Sequence, residues 1–198
     1  LAADGTVGSV RTVPVGMQAG SETAILAIFG CDPRTYFTGR SPMEAAASGI
    51  QLVPGDAAFR CNLVTLEDGN MPLGEKKILS HSAGSIDGAS ALEVMDVLLG
   101  NPDFQKALAA ARMEIHTFPA FRQLAVQHRS DVSGITFIPP HDHLGEACGP
   151  LFPSGNERAE VFADLMRLAH RILDHHPVTE KRRSAGKLPA NGIWFWAQ

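Results

Sequence analysis

The segment Gly20-Ser21-Glu22-Thr23-Ala24 sets a hydroxyl between a glycine and an apolar run at 24–29 that reads as a helix. A serine at a helix start lies in the positive end of the dipole, among N–H groups that suit an approaching phosphate. It becomes a phosphoryl-accepting nucleophile when a metal or a base removes its proton. Serine is also a favoured N-cap, and on residue type alone capping is the commoner use. Further along, His141 and His143 flank Asp142. On an extended segment the two imidazoles share a face and can chelate a metal, although two ligands do not make a metal site. Hydrogen bonding to a substrate from a loop, or simple exposure, is the other use of the pair.

Four cations, Lys181, Arg182, Arg183 and Lys187, gather late in the chain. They read either as a solvated loop or as a patch for an anionic small molecule. His175 and His176 precede Pro177 at a helix end, where positive charge is favourable, and read as structural. Trp194 and Trp196 alternate on one strand, with core as the default reading.

These groups are positioned by a chain that changes character near residue 50. Before it the pattern is helix and loop: a helix over 22–29 closed by Gly30, a turn at Asp32-Pro33, and a helix started by Ser41-Pro42 and ended by Gly49. From residue 56 it becomes richer in strands. Residues 57–67 alternate, with Phe59, Cys61, Leu63 and Thr65 on one face. A helix follows up to Gly100, and a second runs from Pro102 to Ala111. Two strands flank the Pro119-Ala120 bend, and 134–138 reads as a further strand stopped by Pro139-Pro140. A long Gly/Pro loop leads to the clearest amphipathic helix, 156–176, with Asn156 as its cap and Val161, Phe162, Leu165, Leu168, Ala169, Ile172 and Leu173 as its stripe. Residues 192–196 close as a strand. The order from residue 56 is β-α-β-β-α-β, the split arrangement called ferredoxin-like, so the fold class is α+β.

The 198 residues are 44% hydrophobic, enough for one good core or a medium domain with an appendage. A net charge of −4 without a long basic run argues against nucleic acid as a partner. No apolar run approaches the ~20 residues of a membrane span, so no membrane partner is expected. Three widely spaced cysteines with no CxxC, and no signal peptide before the first residues, suit a cytoplasmic location. The chain opens as if at the end of a helix and stops inside a strand, which suggests a piece of a longer protein.

The stretches GSETAILAIFGCDP, GRSPMEAAASGI, PGDAAFRCNLVT, HSAGSI, PPHDHLG and KLPANGIWFWA occur in this order. Together they resemble the archaeal-type cofactor-independent phosphoglycerate mutases of the alkaline phosphatase superfamily, across essentially the whole chain. The resemblance implies a remnant of a phosphatase-like α/β core at 1–50 and an inserted substrate domain at 51–198. It implies exchange of a phosphoryl group between the 2- and 3-hydroxyls of a small three-carbon acid, with Ser21 as the transient phosphoserine and a metal ligand. Two divalent ions (Mn, Mg or Zn) would serve the full-length parent. The family's other metal ligands would precede Leu1 or follow Gln198, so this chain alone is expected to be inactive. Arg40, Arg60, Arg122, His141 and Lys187 are the substrate-binding candidates, with Arg122 and Lys187 the weaker two.

Two departures stand out. The chain has SHSAGS at 80–85 where archaeal members have an Arg-rich RRAGR, and FRQ at 121–123 where they have YRH. The lost cations leave room for a different acceptor. A homoserine kinase-like phosphotransferase on the same scaffold, and a non-catalytic ligand-binding or interaction module, are the alternatives.

Overall fold

The computed structural model describes residues 3–17 and 19–197. Packing divides the chain into two compact units, Leu1–Arg40 and Ser41–Gln198. The division falls ten residues before the change of character read from the sequence.

The first unit holds α1 (Ser21–Ile28) and α2 (Pro33–Tyr36). Gly20, extended at φ −164°, is the N-cap of α1, and no side chain caps the helix. Ser21 is therefore not the cap that its residue type suggested but the first helical residue. The helix ends as glycine permits: Gly30 adopts φ +78°, and the Cys31 N–H returns to the Leu26 carbonyl at 2.9 Å. Asp32 then accepts a hydrogen bond from the Arg34 N–H at 3.0 Å, capping α2 with Pro33 at its first position.

The second unit is a mixed α/β body. Its elements in chain order are α3 (Arg40–Ala47), β1 (Ala57–Leu66), β2 (Ile78–Ser80), α4 (Gly88–Gly100), α5 (Pro102–Ala110), β3 (Met113–His116), β4 (Arg122–Gln127), α6 (Ala159–Leu173), α7 (Pro177–Ser184) and β5 (Gly192–Trp196). All strand pairings are antiparallel. The sheet runs β2-β1-β4-β3, with β5 also on β1, so β1 is the central strand.

Strand β1 is buried on both faces. Phe59, Cys61 and Leu63 share one face with their partners Ala125, Gln123, Phe195 and Ile193. This face packs on α6, where the Phe162 ring lies 4.9 Å from Phe59 and 5.7 Å from Phe195. The opposite face carries Ala58, Arg60 and Asn62 with Leu124, Arg122, Trp196 and Trp194. Ala45 of α3 joins Ala58 and Leu124 there in a small second cluster. Alternation thus does two jobs: one set of residues builds the core and the other lines a polar face.

Two fully buried amides tie the strands. Gln123 accepts from the Phe118 N–H and donates to the Ala120 carbonyl, fixing the bend between β3 and β4. Asn191 accepts from the Leu66 N–H at 2.8 Å and donates to the Leu66 carbonyl at 3.0 Å, closing the end of β1 against β5.

Three expectations need correction. Residues 134–138 form no strand; Thr136 makes only an isolated bridge to Ser154, and the apolar side chains there pack on the core without a ladder. Asn156 does not cap the long helix, which starts at Ala159; its side chain accepts from the Arg158 N–H and donates to the Ser133 carbonyl. The cations at 181–183 lie not in a loop but on α7, capped by the His176 ring, which accepts from the Val178 N–H. Among the described residues no helix is long and apolar enough to cross a membrane.

Replacing Asn191 by Ala orphans both backbone groups of Leu66 in a dry setting. The expected loss is about 2–4 kcal/mol, measured by urea denaturation.

Candidate functional site

In the first unit the Ser21 hydroxyl is spent on no backbone group. It donates to Glu22 Oε2 at 3.1 Å and lies 3.5 Å from Arg40 Nη2. Arg40 in turn donates to the same Glu22 oxygen at 2.7 Å. Burial pushes the Glu22 carboxyl up, but its own backbone N–H, Arg40 and Ser21 outweigh this and hold it below the usual range. The result is a hydroxyl with an ionised carboxylate on its proton and a guanidinium beside its oxygen.

The second unit gathers charge on the polar face of the sheet. Arg60 is only 5% exposed, its Nε 2.9 Å from Glu44 Oε2 and its Nη2 bound to Glu44 Oε1. Its guanidinium lies 4.8 Å over the Trp196 ring. Arg122, more open, approaches the same Glu44 oxygen at 3.5 Å and stacks on Phe121. One carboxylate therefore serves two guanidinium groups. The His141 ring packs on Trp196 at 4.9 Å and on His81 at 5.9 Å.

Residues Arg60, Arg122 and His141, separated by up to 81 positions in sequence, thus share one network. Arg40 belongs to the Ser21 cluster. Lys187 joins neither, lining a separate cleft with Lys181 and Arg182. The extended segment on which His141 and His143 would share a face is not formed. Residues Pro140–Asp142 form a 3₁₀ turn rather than an extended segment, and His143 turns to Glu146 at 3.2 Å.

Four members of the polar face were not singled out for it from sequence: Glu44, Asn62, His81 and Trp196. The alternation of Trp196 with Trp194 placed it on a face without saying which. Asn62 ties the face together, accepting from the Trp196 indole N–H at 3.1 Å and donating to the His81 carbonyl at 2.9 Å.

His81 sits in an unusual turn. Ala83, Gly84 and Ser85 all have positive φ, at 48°, 68° and 53°, a left-handed winding that non-glycine residues adopt at a cost. Hydroxyls hold it. Ser80 Oγ accepts from the Gly84 N–H at 2.9 Å, and Ser82 Oγ accepts from the Ser85 N–H at 3.1 Å. Arg182 Nη2 donates to the Ala83 carbonyl from the other side. Burial, followed by the nearby His141 and Arg122, pushes the His81 imidazole below its ordinary value. The face is cationic and aromatic-backed, a setting suited to a carboxylate or a phosphate.

Among the described residues no group of three or more His, Cys, Asp or Glu side chains could hold a metal ion. Ser21 stands beside one carboxylate and a guanidinium, so the described residues do not form a dinuclear metal centre among themselves.

The family model for 2,3-bisphosphoglycerate-independent phosphoglycerate mutase matches residues 2–179. A curated relative from Methanothermobacter thermautotrophicus, 2,3-bisphosphoglycerate-independent phosphoglycerate mutase 2, is 39% identical across the whole chain, which covers 46% of that protein. The mutase of Methanosarcina barkeri is 37% identical, again with the whole chain and 46% of the relative covered. A solved cofactor-independent phosphoglycerate mutase from Thermoplasma acidophilum superposes with TM-score 0.60 at 27% identity, over 90% of this chain and 46% of that one. The chain spans about half the length of the curated relatives it matches.

Two outcomes test the polar face. Glu44→Ala strips the buried Arg60 of its counter-charge and is expected to cost about 2–3 kcal/mol, less than a fully buried pair because Glu44 keeps some solvent, read by chemical denaturation. In an NMR titration the His81 ring is expected to titrate below its ordinary 6.5, and Arg122→Ala to move it upward. An unfolded chain binds that proton first, so the contribution of His81 to stability is full above pH 6.5 and is lost on acidification below it.

Proposed function

Because the chain belongs to the 2,3-bisphosphoglycerate-independent phosphoglycerate mutase family, we propose that it serves the interconversion of 2- and 3-phosphoglycerate in the longer protein. In this reading residues 1–50 contribute to a phosphatase-like core. Residues 51–198 are an inserted substrate domain of split β-α-β-β-α-β design.

Ser21 is the proposed nucleophile. Its Oγ attacks phosphorus, an Oγ–P bond forms, and the bond from phosphorus to the glycerate oxygen breaks, that oxygen taking a proton from solvent to become a hydroxyl. The hydroxyl proton leaves toward Glu22, which already accepts a hydrogen bond from Oγ at 3.1 Å. Arg40, 3.5 Å from Oγ, would supply the cation that a phosphoryl oxygen needs. Glycerate then takes the group back on its other hydroxyl. Arg122, His141 and the missed His81 would hold its carboxylate during the interval between the two half-reactions, with Arg60 as the fixed charge behind them. Retention of that intermediate separates a mutase from a phosphatase. Metal ligation is proposed as a property of the longer protein, with the Ser21 oxygen as one ligand, and the family implies divalent ions.

The observation that carries the reading is the Ser21 hydroxyl at the head of α1. It caps nothing, and a carboxylate and a guanidinium flank it.

Ser21→Ala in the longer protein is expected to abolish phosphoryl exchange between 2- and 3-phosphoglycerate. Stability should stay within about 0.5 kcal/mol, since no cap is lost. Exchange persisting in that variant would remove Ser21 as the nucleophile. Arg122→Ala is expected to raise the KM by the loss of one charge-assisted contact, ~1.5–3 kcal/mol, in steady-state assays of the same exchange.

A further inference from the structure

The cations near the end of the chain form a site of their own. Lys181, Arg182 and Lys187 line a cleft of about 90 Å³ with Ser90 and Glu93 of α4. That is room for about three waters at liquid density, or for one tetrahedral oxyanion. The cleft lies at the first turns of the 13-residue helix α4, whose dipole favours negative charge there.

Arg182 is 6% exposed and only partly satisfied. Its Nε donates to the Leu188 carbonyl and its Nη2 to the Ala83 carbonyl, both at 3.0 Å. Nη1 is buried with no hydrogen-bond partner. Asp87 Oδ2 approaches it only to 3.9 Å, and the same oxygen stands 3.7 Å from Lys187 Nζ. Both separations exceed a hydrogen bond.

Asp87 cannot close on either cation without loosening the helix it caps. Its Oδ1 accepts from the Ser90 N–H at 3.0 Å and its Oδ2 from the Ser90 hydroxyl at 2.9 Å. Glu93, the other carboxylate, is taken by Lys181 at 3.0 and 3.1 Å. Three cations thus face two carboxylates, and the buried N–H groups of Arg182 Nη1 have no acceptor. An oxyanion between Arg182 and Lys187 would supply acceptors to both. Asp87 and Lys187 are about half exposed, and an anion reaches the buried Nη1 when these side chains turn aside.

We propose that this cleft binds a phosphate group, through Arg182 Nη1 and Lys187 Nζ, apart from the Arg60 face. Free phosphate and the phosphoryl end of a small ester offer the same chemistry.

The test titrates inorganic phosphate and, separately, phenyl phosphate into ¹⁵N-labelled protein at constant ionic strength. Amide signals of residues 87–90 and 181–188 report on the cleft. Saturable shifts there are expected, weakened roughly tenfold by Lys187→Glu, the effect of one charge-assisted hydrogen bond. Arg122→Ala should leave them unchanged. Response to both probes identifies a phosphoester site and response to phosphate alone a free-ion site; either supports the proposal. Shifts that never saturate, or that persist undiminished in both Lys187→Glu and Lys181→Glu, overturn it. These two lysines are 57% and 70% exposed, so their replacement spares the fold. Arg182 itself is not the diagnostic position, because its loss would also free the Ala83 and Leu188 carbonyls.

Discussion

A guanidinium set in the middle of a sheet has to be neutralised where it stands. Arg60 occupies the central strand, covered by Trp196 on one neighbour and Leu124 on the other, and water reaches almost none of it. The idealised cost of burying such a charge far exceeds the stability of a domain, so a carboxylate must be delivered to it. Glu44 arrives from α3, which rests on the strand through Ala45, Ala58 and Leu124. That one ion pair links a helix to a strand and sets the charge of the polar face. Arg122 approaches the same carboxylate.

The sequence was informative where a side-chain pattern reports directly on backbone. Strand β1 showed its alternation, α4 and α5 showed their glycine and proline limits, and α6 showed its stripe. Where burial did not coincide with a ladder or a stripe, the reading failed. Residues 134–138 are apolar because they cover the core, not because they pair. Helix α7 was hidden because its inner side is made of Val178, Thr179 and Arg182, which carry no apolar stripe. Functional groups divided in the same way. Arg60, Arg122 and His141 could be named by type, yet the exposure that separates a structural cation from an open one needed α3 in place. Glu44 and His81 reach the face only through tertiary contacts, and no spacing announces those.

Ser21 illustrates the opposite case. Its residue type favoured a cap over a nucleophile, and the backbone at Gly20 removes the cap. Gly20 takes the extended backbone of the cap, which moves the hydroxyl one residue into the helix and toward side chains instead of amides. Glycine preceding the serine is what makes this inexpensive, because the capping position then needs no side chain of its own.

The turn at 80–85 keeps its shape through the hydroxyls of Ser80 and Ser82 and through Arg182, which bind backbone atoms of residues 83–85, while the His81 ring packs on Phe121 and His141. Position 81 is therefore a socket. Exchange of its occupant is expected to change what the loop presents while the hydrogen bonds that wind it stay in place.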